Sequence, residues 1–295
     1  MKRACCGDST PAKSSGATAS TSAFRPAAGK AATALDSDCV SPSMGSSNPS
    51  FSPGASIVKP SESIKAVVFD VFGTCVDWRS GVAREVALAA ARRSVAIDAH
   101  GFADAWRGRY QPAMEEVRSG RRPWTILDVL HRESLDALLP KFGLGMLDEA
   151  ERRDLVRAWH RLDPWPDVVD GLSRLRRRYI IAPMSNGNVA LLLNMARRAG
   201  LPWNLILGAE TSRAYKPLPE AYLNGVAMLG LEPGEVMLGA AHEDDLRAAR
   251  AAGLRTGFVA RPLEFGEGRR TDRGDAGPWD VVARDFGELA ARLDC

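Results

Sequence analysis

Apolar positions in this chain change their spacing twice, and the changes divide it into parts. Ala66-Val67-Val68-Phe69 is an unbroken apolar run, which predicts a strand covered on both faces. Val82, Val86, Ala89 and Ala90 then follow a helical spacing, and Phe102, Ala105, Trp106 and Tyr110 predict a second helix. Pro123 starts a third, with Ile126, Leu127, Leu130, Leu135 and Leu138 on its apolar face and an end before Pro140; residues 148–160, with Leu155, Val156 and Trp159, form a fourth. No strand is expected inside this block. After Pro164-Trp165-Pro166 the spacing alternates: helix 167–177, strand 179–184, helix 188–199, a short strand near 204–208, helix near 219–229, strand near 235–240, helix near 243–252 closed by Gly253, and strand near 254–259. Such alternation predicts an α/β fold with a parallel sheet flanked by helices, interrupted after its first strand by a helical insertion.

Residues 1–62 differ from all of this, being rich in Ser, Ala, Thr, Pro and Gly without apolar periodicity, and are expected to be disordered. Basic residues outnumber acids there, a weak hint of organelle targeting, yet no Arg-rich amphipathic helix and no secretory apolar segment is present. With 295 residues, 45% of them hydrophobic and 25% charged, the remainder can bury a full core and hold two domains. A net charge of +3 spread over many acids and bases gives no concentrated basic field, so nucleic acid is not an expected partner. The absence of a run of 18 apolar residues argues against a membrane anchor. Five cysteines, Cys5, Cys6, Cys39, Cys75 and Cys295, lack CxxC or zinc-ligand spacing and suggest a reducing, cytoplasmic setting. Cys75 reads as a small buried apolar residue rather than a reactive thiol.

Candidate chemistry collects at the ends of the predicted strands. Asp70 closes the first apolar run, and Gly73 lets the chain turn away beside it. Two residues after Asp70 stands Phe72, an apolar ring. Ser185-Asn186-Gly187-Asn188 follows the next strand; its free backbone N–H groups and polar side chains suit an anion, although Ser and Asn there also serve as plain helix caps. Tyr215-Lys216-Pro217, with Tyr222 six residues after the lysine, offers a cation that can hold Asp70 ionised, or an ordinary exposed lysine before a helix. Gly239-Ala240-Ala241-His242-Glu243-Asp244-Asp245 follows the fourth apolar strand, and its acids equally suit the positive end of a helix.

These four segments, in this order, resemble the haloacid dehalogenase superfamily. FDVFGTCVDWR, the insertion with Ala105-Trp106-Arg107, MSNGN and YKP resemble its L-2-haloacid dehalogenases of type II. The resemblance implies a Rossmann-like α/β core from residues 63–80 and 164–295, a helical cap from residues 81–163, and a homodimer. It makes Asp70 the covalent nucleophile, oriented by Thr74; Arg107 the halide acceptor, assisted by Asn186; Ser185, with nearby backbone donors at Val71 and Phe72, the substrate-carboxylate seat; Lys216 the partner of Asp70, with Tyr222 beneath it; and Phe72 and Trp106 apolar wall. The expected reaction is displacement on a short L-2-haloalkanoic acid, followed by ester hydrolysis to a D-2-hydroxy acid and halide. It needs neither redox cofactor nor metal. One departure stands out: Ala240-Ala241-His242 replaces the family's Ser-Ser-Asn, so His242 is expected as the base that activates water, with Asp245 pairing Lys216. Two alternatives are a magnesium-dependent phosphatase using Asp70, Asp244 and Asp245 as hard oxygen ligands, and a non-catalytic binding protein that keeps the motifs for fold stability.

Overall fold

The structure, a computed structural model, describes residues 63–295. The segment 1–62, expected to be disordered, lies outside the described residues, as do Cys5, Cys6 and Cys39. Six parallel strands form the sheet: β1 (Ala66–Phe69), β4 (Ile180–Ser185), β5 (Leu207–Gly208), β6 (Val236–Ala240), β7 (Arg255–Val259) and β8 (Val281–Ala283), in spatial order β5-β4-β1-β6-β7-β8. Strand β1 is central and wholly buried, as its uninterrupted apolar run requires. Val68 lies level with Ala182 on one side and Leu238 on the other. Because the strands are parallel, β1, β4 and β6 all end at one edge. That edge collects the first, second and fourth sequence motifs in one crevice.

Between β1 and β4 lies the helical insertion: α1 (Trp78–Arg92), α2 (Ala99–Gly108), α3 (Tyr110–Arg118), α4 (Leu127–Leu138) and α5 (Glu149–Val156), with short 3-10 turns at Leu139–Phe142 and Arg157–His160. Three details depart from the sequence reading. The second predicted helix is two, α2 and α3, broken at Arg109. Pro112 explains the break: it has no N–H to give the carbonyl of Gly108, and its ring crowds that carbonyl. The third helix starts at Leu127 rather than Pro123. The insertion is also closed by a short antiparallel ribbon, β2 (Val76–Asp77) with β3 (Asp163–Pro164), so the chain leaves and re-enters the sheet side by side. Trp165 reinforces this neck, its Nε1 donating to the Gly73 carbonyl at 2.8 Å.

Helices α6 (Val168–Leu175), α7 (Val189–Ala199), α8 (Ala209–Ser212), α9 (Pro219–Met228) and α10 (Glu243–Ala251) complete the alternation. The chain then adds β8 and α11 (Phe286–Arg292), which the spacing does not predict. Phe286 packs against Phe69 with ring centroids 5.1 Å apart. Gly171 makes that packing possible, since a Cβ there would lie 2.4 Å from the Phe286 Cβ. Under the insertion, Trp78, Trp106, Trp159 and Phe72 are fully or almost fully buried and meet edge-on or stacked. No helix among the described residues is long and apolar enough to cross a membrane.

Candidate active site

A cavity of about 710 Å³ opens where the strand ends meet the insertion, lined by Asp70, Phe72, Asn186, Lys216, Tyr222, His242 and Asp245 from the sheet side and by Arg107, Tyr110 and Arg118 from the helices. Asp70 is fixed by its backbone, whose N–H donates to the Gly239 carbonyl at 3.0 Å. Its Oδ2 accepts from the Thr74 hydroxyl at 2.9 Å and faces His242 Nδ1 at 3.2 Å. Its Oδ1 accepts from Lys216 Nζ at 3.4 Å. Burial by itself would raise the Asp70 carboxyl, but the Lys216 ammonium, His242 and Thr74 outweigh it and hold the group well below the usual carboxylate range. Asp70 is therefore ionised at ordinary pH.

Lys216 is shared. Its Nζ sits 2.6 Å from Asp245 Oδ2, and Asp245 Oδ1 accepts from the Tyr222 hydroxyl at 2.6 Å. Burial opposes the Lys216 charge, yet Asp245 and Asp70 raise its pKa, so it stays protonated. For Asp245 the balance runs the other way: burial raises its carboxyl more than Lys216 lowers it. Of the two carboxylates that share the lysine, Asp245 takes up a proton first.

Arg107 projects from α2 with its guanidinium carbon 4.2 Å from the Tyr110 ring centroid and 5.5 Å from that of Trp78. Its Nη1 is buried and has no hydrogen-bond partner. An aromatic wall thus holds a cation one of whose donors, Nη1, has no partner in the protein. A guanidinium N–H left free in this way can donate to an anion.

Other expected residues stand in supporting places. Ser185 is buried, its hydroxyl accepts from the Gly187 N–H at 3.2 Å, and it does not line the cavity. Asn186 does line it, while its Oδ1 accepts from the Lys216 N–H at 2.8 Å. Val71 is buried. Trp106, expected as cavity wall, instead turns into the core and donates from Nε1 to the His131 carbonyl at 3.1 Å. Helical spacing cannot distinguish these two directions.

His242 differs most from expectation. Both ring nitrogens face carboxylates: Nδ1 meets Asp70, and Nε2 lies 3.0 and 2.9 Å from the two oxygens of Glu264. Ionised carboxylates only accept, so the arrangement is satisfied when both nitrogens carry protons. Burial works against the charge, but Glu264 and Asp70 raise the pKa well above the usual histidine value. While Asp70 is ionised, a ring holding two protons has no lone pair with which to take one from water, so the unalkylated site does not present the expected base at His242. Glu264 itself was missed, because it sits in a loop after β7 with no motif around it.

The acids named for a metal line one cavity but form no ligand cluster. Asp244 is 98% exposed and pairs with Arg247, and Asp245 is taken up by Lys216 and Tyr222. No group of three or more metal-ligating side chains occurs among the described residues. The donor set around Asp70 is cationic, which does not fit a magnesium site.

A family model for haloacid dehalogenase-like hydrolases matches residues 64–253. The fold is similar to the crystal structure of the defluorinating L-2-haloacid dehalogenase Rha0230, with 51% identity, a TM-score of 0.77, and coverage of 79% of this chain and 96% of that one. L-2-haloacid dehalogenase PA0810 is similar at 47% identity and a TM-score of 0.76, over 78% of this chain and 99% of that one. The L-2-haloacid dehalogenase of Xanthobacter autotrophicus, solved with chloropropionic acid covalently bound, is 26% identical with a TM-score of 0.66, over 78% of this chain and 98% of that one.

Proposed function

This chain belongs to the haloacid dehalogenase-like hydrolases, and from that premise we propose that it hydrolyses short L-2-haloalkanoic acids to D-2-hydroxy acids through an ester on Asp70. The observation that carries the reading is Arg107: a buried, unpaired guanidinium N–H across the cavity from an ionised carboxylate. Displacement at carbon needs that pair of features, a nucleophile on one side and a stabiliser of the departing anion on the other.

In this reading residues 63–80 and 164–295 are core and residues 81–163 cap. Oδ1 of Asp70 attacks the halogen-bearing carbon from behind, since Oδ2 is the oxygen engaged by Thr74 and His242. Arg107 and Asn186 receive the halide. Asn186 and backbone donors at Val71 and Phe72 face the substrate carboxylate, and Ser185 shapes that turn through Gly187. Phe72, edge-on to Tyr110 and Trp159, keeps water from the reacting carbon. Holding nucleophile and carbon in line contributes at best about 7–11 kcal/mol to the barrier reduction. Water then attacks Cγ of the ester, and Asp245, the more basic of the paired carboxylates, takes its proton. The scheme uses no metal or redox cofactor. The homodimer and the cytoplasmic setting implied by the resemblance belong to the same proposal, and light scattering tests the first.

The test is halide release from L- and D-2-chloropropionate, chloroacetate and fluoroacetate with a chelator present, the last because a similar enzyme is defluorinating. Release from the L form and not the D form, undiminished by chelator and lost in Asp70→Asn, is expected. Equal rates on both enantiomers, or release that survives Asp70→Asn, contradicts it.

A further inference from the structure

We propose that Glu264 holds His242 as an imidazolium, and that this cation, with the Thr74 hydroxyl, is the electrophile that opens the Asp70 ester. The proposal rests on the ester route above and assigns its second step.

Glu264 is 2% exposed and belongs to a loop that no motif marks. Its Oε1 accepts from Trp78 Nε1 at 3.1 Å, and both its oxygens face His242 Nε2. Gly73, beside the nucleophile, has φ +91°, and a Cβ there would lie 2.1 Å from Glu264 Oε1. The loop carrying Asp70 is thus shaped to admit this carboxylate. Arg261 ties the two loops together, donating from Nε to the Thr74 carbonyl at 2.8 Å while its Nη atoms grip Asp167 at 3.0 and 2.9 Å. A partner this well anchored fixes both the orientation and the charge of the ring it faces.

On the far side of the ring, Nδ1–H and the Thr74 O–H both point to Asp70 Oδ2. Once Oδ1 carries the alkyl group, Oδ2 is the ester's carbonyl oxygen, and the two donors are already aimed at it. Water forms a bond to Cγ and gives a proton to Asp245, and the carbonyl electron pair moves onto Oδ2 between Thr74 and His242. The Cγ–Oδ1 bond then breaks. The leaving alkoxide takes the proton from Asp245, and the new Asp70 carboxylic acid loses its own to solvent. One water is consumed and one proton released per halide, as the overall hydrolysis requires. His242 touches the reacting carboxyl and is catalytic; Glu264 acts through it and is a positioning residue. The ring is met directly by Asp70 and Glu264, while Lys216, Arg107, Asp244, Asp245 and Asp272 line the same cavity.

The test is rapid-quench halide release and intact-protein mass with L-2-chloropropionate, on the parent and Glu264→Gln, across pH 5.5 to 9. Glu264→Gln is expected to release one halide per site in a burst, accumulate the alkylated protein, and turn over about 100-fold more slowly, the range for loss of a preorganised oxyanion donor. Decay of its ester should slow as pH rises, because without Glu264 the ring loses the proton that makes it an electrophile. Glu264→Asp should recover part of the rate. Ester decay that climbs with pH would identify a base and overturn the proposal, as would parental turnover in Glu264→Gln. If that variant does not fold, His242→Gln should accumulate the same adduct, and parental turnover there overturns the proposal equally. Parent protein that never carries an ester sinks the route itself, a result distinguishable from any variant's behaviour.

Discussion

Two histidines in this chain are driven in opposite directions by what surrounds them. His242, between two carboxylates, is raised, so it contributes stability that is fully present below the usual histidine pKa of about 6.5 and is lost as pH climbs through its elevated value. His131 is buried against Trp159, with ring centroids 4.4 Å apart, and neither of its nitrogens has a partner. Burial lowers its pKa to about 3. The sign of its effect is therefore reversed: the unfolded chain takes up a proton that the folded one refuses, and stability falls between pH 6.5 and about 3. On going from pH 7 to pH 5 the parent should lose roughly 2 kcal/mol more than His131→Phe, which fills the same space without titrating. Urea unfolding at the two pH values measures this, and identical losses would refute it. Residue identity shows where such groups are, but their state depends on neighbours that the sequence places far away. The strand-end position of Asp70 and the chemistry of Lys216 were legible for that reason, whereas the charge on His242 was not, since it depends on Glu264.

Elements were legible where a period persists and illegible where a single contact decides. The buried run of β1, the apolar face of α4 and the alternation after Pro166 were all readable. The split between α2 and α3 turns on Pro112, and β8 is too short, at three residues, to show a pattern. The turn after β1 is where local conformation and the site meet. Gly73 adopts a φ that side chains disfavour, and any Cβ there collides with Glu264. Gly73→Ala should therefore cost about 1 kcal/mol or more in stability from backbone strain alone. It should also slow ester decay more than ester formation by displacing Glu264 from His242. Single-turnover halide release set against product formation separates the two steps, and an equal loss in both would contradict the link between Gly73 and Glu264.

At the scale of the whole molecule, a central strand carries Asp70 to the sheet edge, and a helical insertion entered and left through one short ribbon brings Arg107 to the same cavity. The order of motifs made this architecture legible, because parallel strands put all their ends on one side. What the order could not reveal is the loop after β7, which returns to the site through Arg261 and Glu264. A single turnover in water enriched in heavy oxygen, with enzyme in excess over L-2-chloropropionate, tests the whole scheme most directly. The account predicts that the label enters the Asp70 side chain, found by mass analysis of the peptide that contains it, and that the released hydroxy acid is unlabelled. Label in the product with none in Asp70 would mean that water attacks the substrate carbon itself, and would contradict the account.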